Sequence, residues 1–158
     1  MRLFLFAWLL ANALAVAAGA ALGRESPASF LVIEQGTHSG IKTQRLDAIR
    51  DDAALRALWL AHRGGLSPAP PLPKVDFSKD MLIVAFAGQK STGGYRLNVV
   101  GLGARRGRIQ VDLSLTQPGP DCLVAQTATQ PFVMFKISRS RKPVAFQLTA
   151  KTFSCVYG

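Results

Sequence analysis

Residues that carry chemistry are scarce in this 158-residue chain, which has 2 Cys, 2 His and 9 Asp plus Glu against 19 Lys plus Arg. Two cysteines are too few for a disulfide-scaffold protein. The few carboxylates and histidines are scattered, so no acid–base pair stands out. No apolar run after residue 20 is long enough to span a bilayer, which needs about 20 residues. Disorder is excluded from the other side, because 49% of the residues are hydrophobic.

Sequence motifs for catalysis are missing too. Gly88-Gln89-Lys90-Ser91-Thr92-Gly93-Gly94 has glycines and a lysine, but Lys90-Ser91 precede the second glycine and a strand pattern follows, so it is no phosphate loop. Ser39 and Lys42 have S-x-x-K spacing without the helix that would put them on one face. There is no G-x-S-x-G, no H-E-x-x-H and no Cys/His cluster, and neither His38 nor His62 has a carboxylate and a nucleophile in a recognisable array. The expectation is a non-enzyme with no metal and no cofactor.

What the chain does have begins at its start. Arg2 precedes an apolar run from Leu3 to about Val16, followed by Ala18-Gly19-Ala20. That order of charge, apolar core and small residues is expected of a signal peptide over 1–20, cleaved before Ala21, with 21–158 as a single exported domain. Periplasmic or extracellular localisation follows, with no stable membrane span. The remaining chain keeps 18 basic against 9 acidic residues. Such an excess attracts anionic polymers or lipids. Nucleic acid is not expected as a partner of an exported protein. Arg105, Arg106 and Arg108 sit in one Gly-rich turn, and Arg139, Arg141 and Lys142 in another; two separate turns make a diffuse field. In an oxidising compartment Cys122 and Cys155 are expected to join, closing a loop of about 34 residues.

The periodicities predict a mainly antiparallel α+β domain: one twisted sheet curled around or covered by a single helix. Strands are expected at Phe30–Glu34, Ile41–Ile49, Tyr95–Leu102, Arg108–Leu115 and Val144–Thr149, with Gly103–Gly107 as the loop of a hairpin. The continuous apolar runs Met81–Ala87 and Phe132–Ser138 read as further strands, the former covered on both faces. The helix is DAALRALWLAHR, opened by an Asp cap and stopped by Gly64-Gly65. Leu55, Leu58, Trp59 and His62 share its apolar face; Leu58 and Trp59 are the expected anchors, and His62 is placed at the edge. Ser67–Pro73 is a proline-rich connector.

The most unusual surface feature is Ser91-Thr92-Gly93-Gly94-Tyr95, where paired glycines permit close backbone approach beside an amphipathic ring. Together with Gln130-Pro131-Phe132 it carries a resemblance. Trp59, the Pro-rich connector, VDFSKDMLIVAFAGQKSTGGY, the alternating hairpin and TQPFVMFKISR resemble the PrcB C-terminal domain over about residues 30–140. That family is named for a subunit of a secreted subtilisin-type protease complex. The resemblance implies a non-catalytic protein-binding module that supports assembly or stability of such a complex. Its expected contact residues are Ser91, Thr92, Gly93, Gly94, Tyr95, Gln130, Pro131 and Phe132. Two other readings remain open: a basic envelope protein that binds anionic polymers or lipids, and a protease inhibitor that uses the Gly-Gly-Tyr loop. Members of the family are often lipoproteins, whereas the N-terminal segment here has no cysteine.

Overall fold

A computed structural model describes residues 29–156, so the expected signal peptide lies outside the described residues. Seven strands and one helix follow in order: β1 Leu31–Gly36, β2 Gln44–Ile49, α1 Asp52–Arg63, β3 Asp80–Ala87, β4 Arg96–Arg105, β5 Arg108–Pro118, β6 Phe132–Ser138 and β7 Val144–Phe153. The helix forms where the periodicity places it. Asp51 is its N-cap, accepting the Ala54 N–H at 2.8 Å, and the Gly64 N–H closes the last turn on Leu60 O at 2.8 Å.

The strands do not form one curled sheet. They make a four-stranded sheet of order β1-β6-β3-β2 and a three-stranded sheet of order β4-β5-β7. Every pairing is antiparallel except β5 with β7, which is parallel from Ile109↔Val144 to Pro118↔Phe153. The β4–β5 connection is tighter than Gly103–Gly107. Gly103, Ala104 and Arg105 continue β4, and the turn is Arg106-Gly107, both at positive φ (50° and 78°). Likewise Ile41–Thr43 lie outside β2. The 139–143 segment joins strands of different sheets and makes no hairpin.

β3 explains the architecture. Met81, Ile83, Ala85 and Ala87 point into a core shared with Leu97, Val111, Leu113 and Leu115 of the second sheet. Leu82, Val84 and Phe86 point the opposite way, into a second core with Leu55 and Leu58 of α1. A strand sandwiched between a sheet and a helix must be apolar at every position, hence the unbroken run MLIVAFA. Phe132–Met134 of β6 follow the same rule, Val133 facing the sheet and Phe132 and Met134 the helix.

Two helix residues exchange the places expected of them. His62 is 2% exposed, while Trp59 is only half-buried. Trp59 lies against the proline-rich connector, its Nε1–H donating to Pro70 O at 3.0 Å. An indole at the margin of a core can satisfy its N–H there, whereas the smaller imidazole fits beneath the helix end.

Candidate functional site

Strand direction places several loops together at one pole of the molecule: 37–43 after β1, 88–95 after β3, and 119–131 between β5 and β6. Both sequence-predicted motifs lie here and touch. Lys90 and Thr129 form a β-bridge, the Thr129 hydroxyl donates to Thr92 O at 2.8 Å, and the Gly93 N–H donates to Ala125 O at 2.8 Å. Gly94 has φ +85°, and a Cβ there would meet Val124 Cγ1 at 3.0 Å and Pro118 Cγ at 3.1 Å. Glycine is therefore needed for conformation and for space. Tyr95 is half-buried, its ring packed on the inter-sheet core with the Lys90 ammonium 5.9 Å from the ring centroid. Ser91 and Gly94 are exposed.

The facing loop is braced at its base. Cys122 and Cys155 are joined by a disulfide with Cα atoms 5.0 Å apart. The Gly119 N–H donates to Phe153 O at 2.8 Å. One carboxylate oxygen of Asp121 accepts from Ser154 Oγ (2.7 Å), Cys155 N (2.6 Å) and Val156 N (3.0 Å). These bonds, the Ser154 hydroxyl foremost, hold the Asp121 carboxyl at about 2, well below the usual range. At the outer part of this tied loop Leu123 is fully exposed.

The second motif is divided between surface and interior. Gln130 is half-buried, accepting from Ser39 N (3.5 Å) and donating to Gln89 Oε1 (3.3 Å). Pro131 and Phe132 are buried. The Phe132 ring stacks on Phe86 (centroids 5.8 Å) and meets the His62 ring edge-on at 4.4 Å, so it offers no surface to a partner.

A polar cluster absent from the sequence motifs lies alongside. His62 Nδ1 is 2.8 Å from Ser39 Oγ and Nε2 is 3.3 Å from Glu34 Oε2. A carboxylate only accepts, so the proton sits on Nε2, and Nδ1 accepts from the Ser39 hydroxyl. Burial, then the Arg63 charge, hold the His62 pKa below its ordinary value against the opposing pull of Glu34. Arg63 pairs with Glu34 and donates to His38 O at 3.1 Å. Ser39, His62, Arg63 and His38 line, together with Gln130, an open cleft of about 270 Å³.

A serine, an imidazole and a carboxylate in series can support acyl transfer when donors for an oxyanion stand ready. Here the nearby donors are committed. Ser39 N–H goes to Gln130, Gly40 N–H to His62 O at 2.9 Å, and Ile41 N–H to Ser39 Oγ at 3.0 Å. A Cβ at Gly40 would fall 2.4 Å from Ala61 O, so the loop and helix end are pressed together by this network. The sequence signal was His62 itself, seven residues after Leu55 on the apolar face; a buried histidine needs polar partners, and Glu34 and Ser39 supply them.

No helix among the described residues is long and apolar enough to cross a membrane, and no group of three or more potential metal ligands occurs among them. Neither the curated proteins nor the solved structures contain a match to the chain. Residues 81–138, which run from β3 through β6 and hold both STGGY and Gln130-Pro131-Phe132, match the family described as PrcB C-terminal.

Proposed function

We propose that this chain is an exported, non-catalytic protein-binding module whose docking face is formed by loop 88–95 and the disulfide-braced loop 119–129. One observation carries the reading: Leu123 is fully exposed on a loop tied at its base by a disulfide and by Asp121, and along its length by the Gly93–Ala125 bond. An apolar side chain held out on a pre-ordered loop binds at little entropic cost, because the loop is already fixed before the partner arrives. Tyr95, half-buried next to the exposed Gly94, adds an amphipathic contact of the kind enriched at interface centres. The disulfide fits an oxidising compartment.

The PrcB C-terminal match suggests the class of partner, another exported protein in a protease complex whose assembly or stability the module supports. The Ser39–His62–Glu34 network serves in this reading as a pin between β1, the following loop and the helix end. Its committed donors and buried imidazole favour that role over catalysis. The inhibitor reading has less support. The glycine loop is bonded to residue 125 and Tyr95 is packed down, so neither extends freely into a cleft.

The test is a photo-crosslinking residue at position 123, with the same residue at Leu60, an exposed apolar position on the helix, as control. A discrete adduct from 123 alone, weakened at least tenfold by Tyr95→Ala at a temperature where that variant is still folded, is expected. Equal adducts from both positions, or insensitivity to Tyr95→Ala, would remove the docking face from these loops.

A further inference from the structure

The opposite pole carries a surface that the docking face does not use. Sequence alone separates the two basic turns by more than 30 residues, but the parallel β5–β7 pairing brings them together. The Ile109 N–H donates to Pro143 O at 2.9 Å, and a cleft of about 310 Å³ is lined jointly by Gly103 and Ala104 at the end of β4, next to one turn, and by Ser140 and Lys142 from the other. Arg105, Arg106, Arg108, Arg141 and Lys142 are all exposed. Among the described residues none of these five takes part in a salt bridge.

The acids near this pole are fewer than its cations: Asp51 and Asp52 are exposed at the start of α1 beside Arg50, and the others are engaged. Asp80 is paired with Lys136 at 2.7 Å and Asp76 with Lys79 at 3.5 Å. Asp112, two positions into β5 from Gln110, accepts from that side chain at 2.8 Å. Arg50 and Arg139 hold the pole rigid: Arg50 donates to Ser140 O (3.3 Å) and Lys142 O (3.2 Å), and the Arg139 backbone N–H to Lys79 O (2.7 Å).

Beside these cations stands exposed apolar surface. Ser29 lines the same cleft; after it come Phe30, whose ring meets Phe135 edge-on at 5.3 Å, and then Leu31 and Val32 at the start of the edge strand β1, the three being 41%, 58% and 44% exposed. Cations alone would suit any polyanion. Cations next to three exposed apolar side chains suit a surface with anionic headgroups outside and hydrocarbon just beneath.

We propose that this pole docks the protein on an anionic lipid bilayer, with the Arg105–Arg108 and Arg141–Lys142 turns at the headgroups and Phe30 to Val32 dipping below them. The loops around Leu123 and Tyr95 then face away from the membrane, toward whatever shares the compartment.

The experiment is co-sedimentation of the secreted form of the protein with vesicles of phosphatidylcholine containing 30% phosphatidylglycerol, against pure phosphatidylcholine, at 0.1 M salt. Each basic residue near such a surface contributes about fivefold to partition. The variant Arg105→Gln/Arg106→Asn/Arg108→Gln should therefore bind about a hundredfold more weakly. Lys42→Gln/Arg56→Gln/Arg96→Gln, which removes equal charge from the helix and the other pole, should lose far less. Phe30→Ser/Leu31→Ser should leave binding at low salt and abolish what persists at 0.5 M salt. All variants are checked for an unchanged melting temperature. Equal loss in both charge variants would show attraction by net charge alone and overturn the proposal. So would polyphosphate binding as tight as vesicle binding with no effect of the Phe30 and Leu31 changes, which marks a soluble polymer as the ligand.

Discussion

Phe132 belongs to the family motif yet lies in the interior, and its replacement separates structure from docking. The ring is 1% exposed. It stacks on Phe86, meets His62 edge-on, and has the Arg63 guanidinium 5.4 Å above it. Phe132→Ala removes a fully buried ring from a site closed by a strand, a helix end and a neighbouring strand, which leaves little freedom to collapse. The cost should be about 3–5 kcal/mol. With an m value of about 2 kcal/mol/M, the urea midpoint falls by roughly 2 M. For a domain of this size, stable by about 5–15 kcal/mol, that is a large share of the total. Trp59 fluorescence is a suitable probe, because its ring lies 5.5 Å from the His62 ring that covers Phe132. A double-mutant cycle with Phe86→Ala should return a coupling of about 0.5–1.5 kcal/mol for the stacked pair. A midpoint shift below about 0.5 M, equivalent to roughly 1 kcal/mol, would refute the reasoning. If binding of a partner were lost at the same time, Phe132 would return to the docking surface.

Other outcomes follow from single contacts. Replacing both cysteines by serine should cost about 3–4 kcal/mol for a loop of this length and lower the melting temperature by about 10 °C, read by calorimetry; a shift of less than 3 °C would mean that the Asp121 bonds alone hold the loop. Gly94→Ala should destabilise by about 1–3 kcal/mol because of its left-handed backbone, and Gly93→Ala by less, since the Cβ added there meets nothing nearer than 3.4 Å; urea melts that rank them the other way would contradict the loop geometry. His62 has a lowered pKa in the folded state, so the unfolded chain binds its proton more readily. Stability from the neutral imidazole is thus complete above about pH 6.5 and is lost as pH falls below it. Urea midpoints measured between pH 7.5 and 5 should show this decline, and His62→Gln should flatten it. Trp59→Phe should cost about 1 kcal/mol through the lost bond to Pro70 and speed proteolysis within residues 67–73; no change in either would leave the connector unanchored by the indole.

Much of the local structure could be read from the sequence, because local structure is what periodicity reports. The helix bounds, the Asp51 cap and the continuous strand of β3 follow from residue spacing. The division into two sheets does not. Alternation in RIQVDLSL says that one face of β5 is buried but not whether the cover is a helix or another sheet. The parallel partnership of β5 with β7 joins segments separated by all of β6, and no local signal encodes it. The meeting of the two basic turns was hidden for the same reason. Within the candidate site, STGGY and Gln130 could be singled out by composition, whereas Ser39, Glu34 and Leu123 could not. Their significance depends on which loops share a pole.

The pairing order has a consequence for how the protein comes into being. A polypeptide leaves a ribosome or a translocation channel N-terminus first. The only hairpin of strands adjacent in sequence among the described residues is β4–β5. β1 must wait about 100 residues for β6, and β5 waits for β7. Neither sheet can close until its last strand, β6 or β7, is free, so the closing strands act as a delay on folding. During that interval the apolar run of β1 has no partner strand and that of β3 has only β2 beside it, and both depend on holding factors or rapid passage to stay clear of aggregation. A chain that crosses a membrane unfolded, as proposed for this one, gains from such lateness, because it stays threadable until it has arrived.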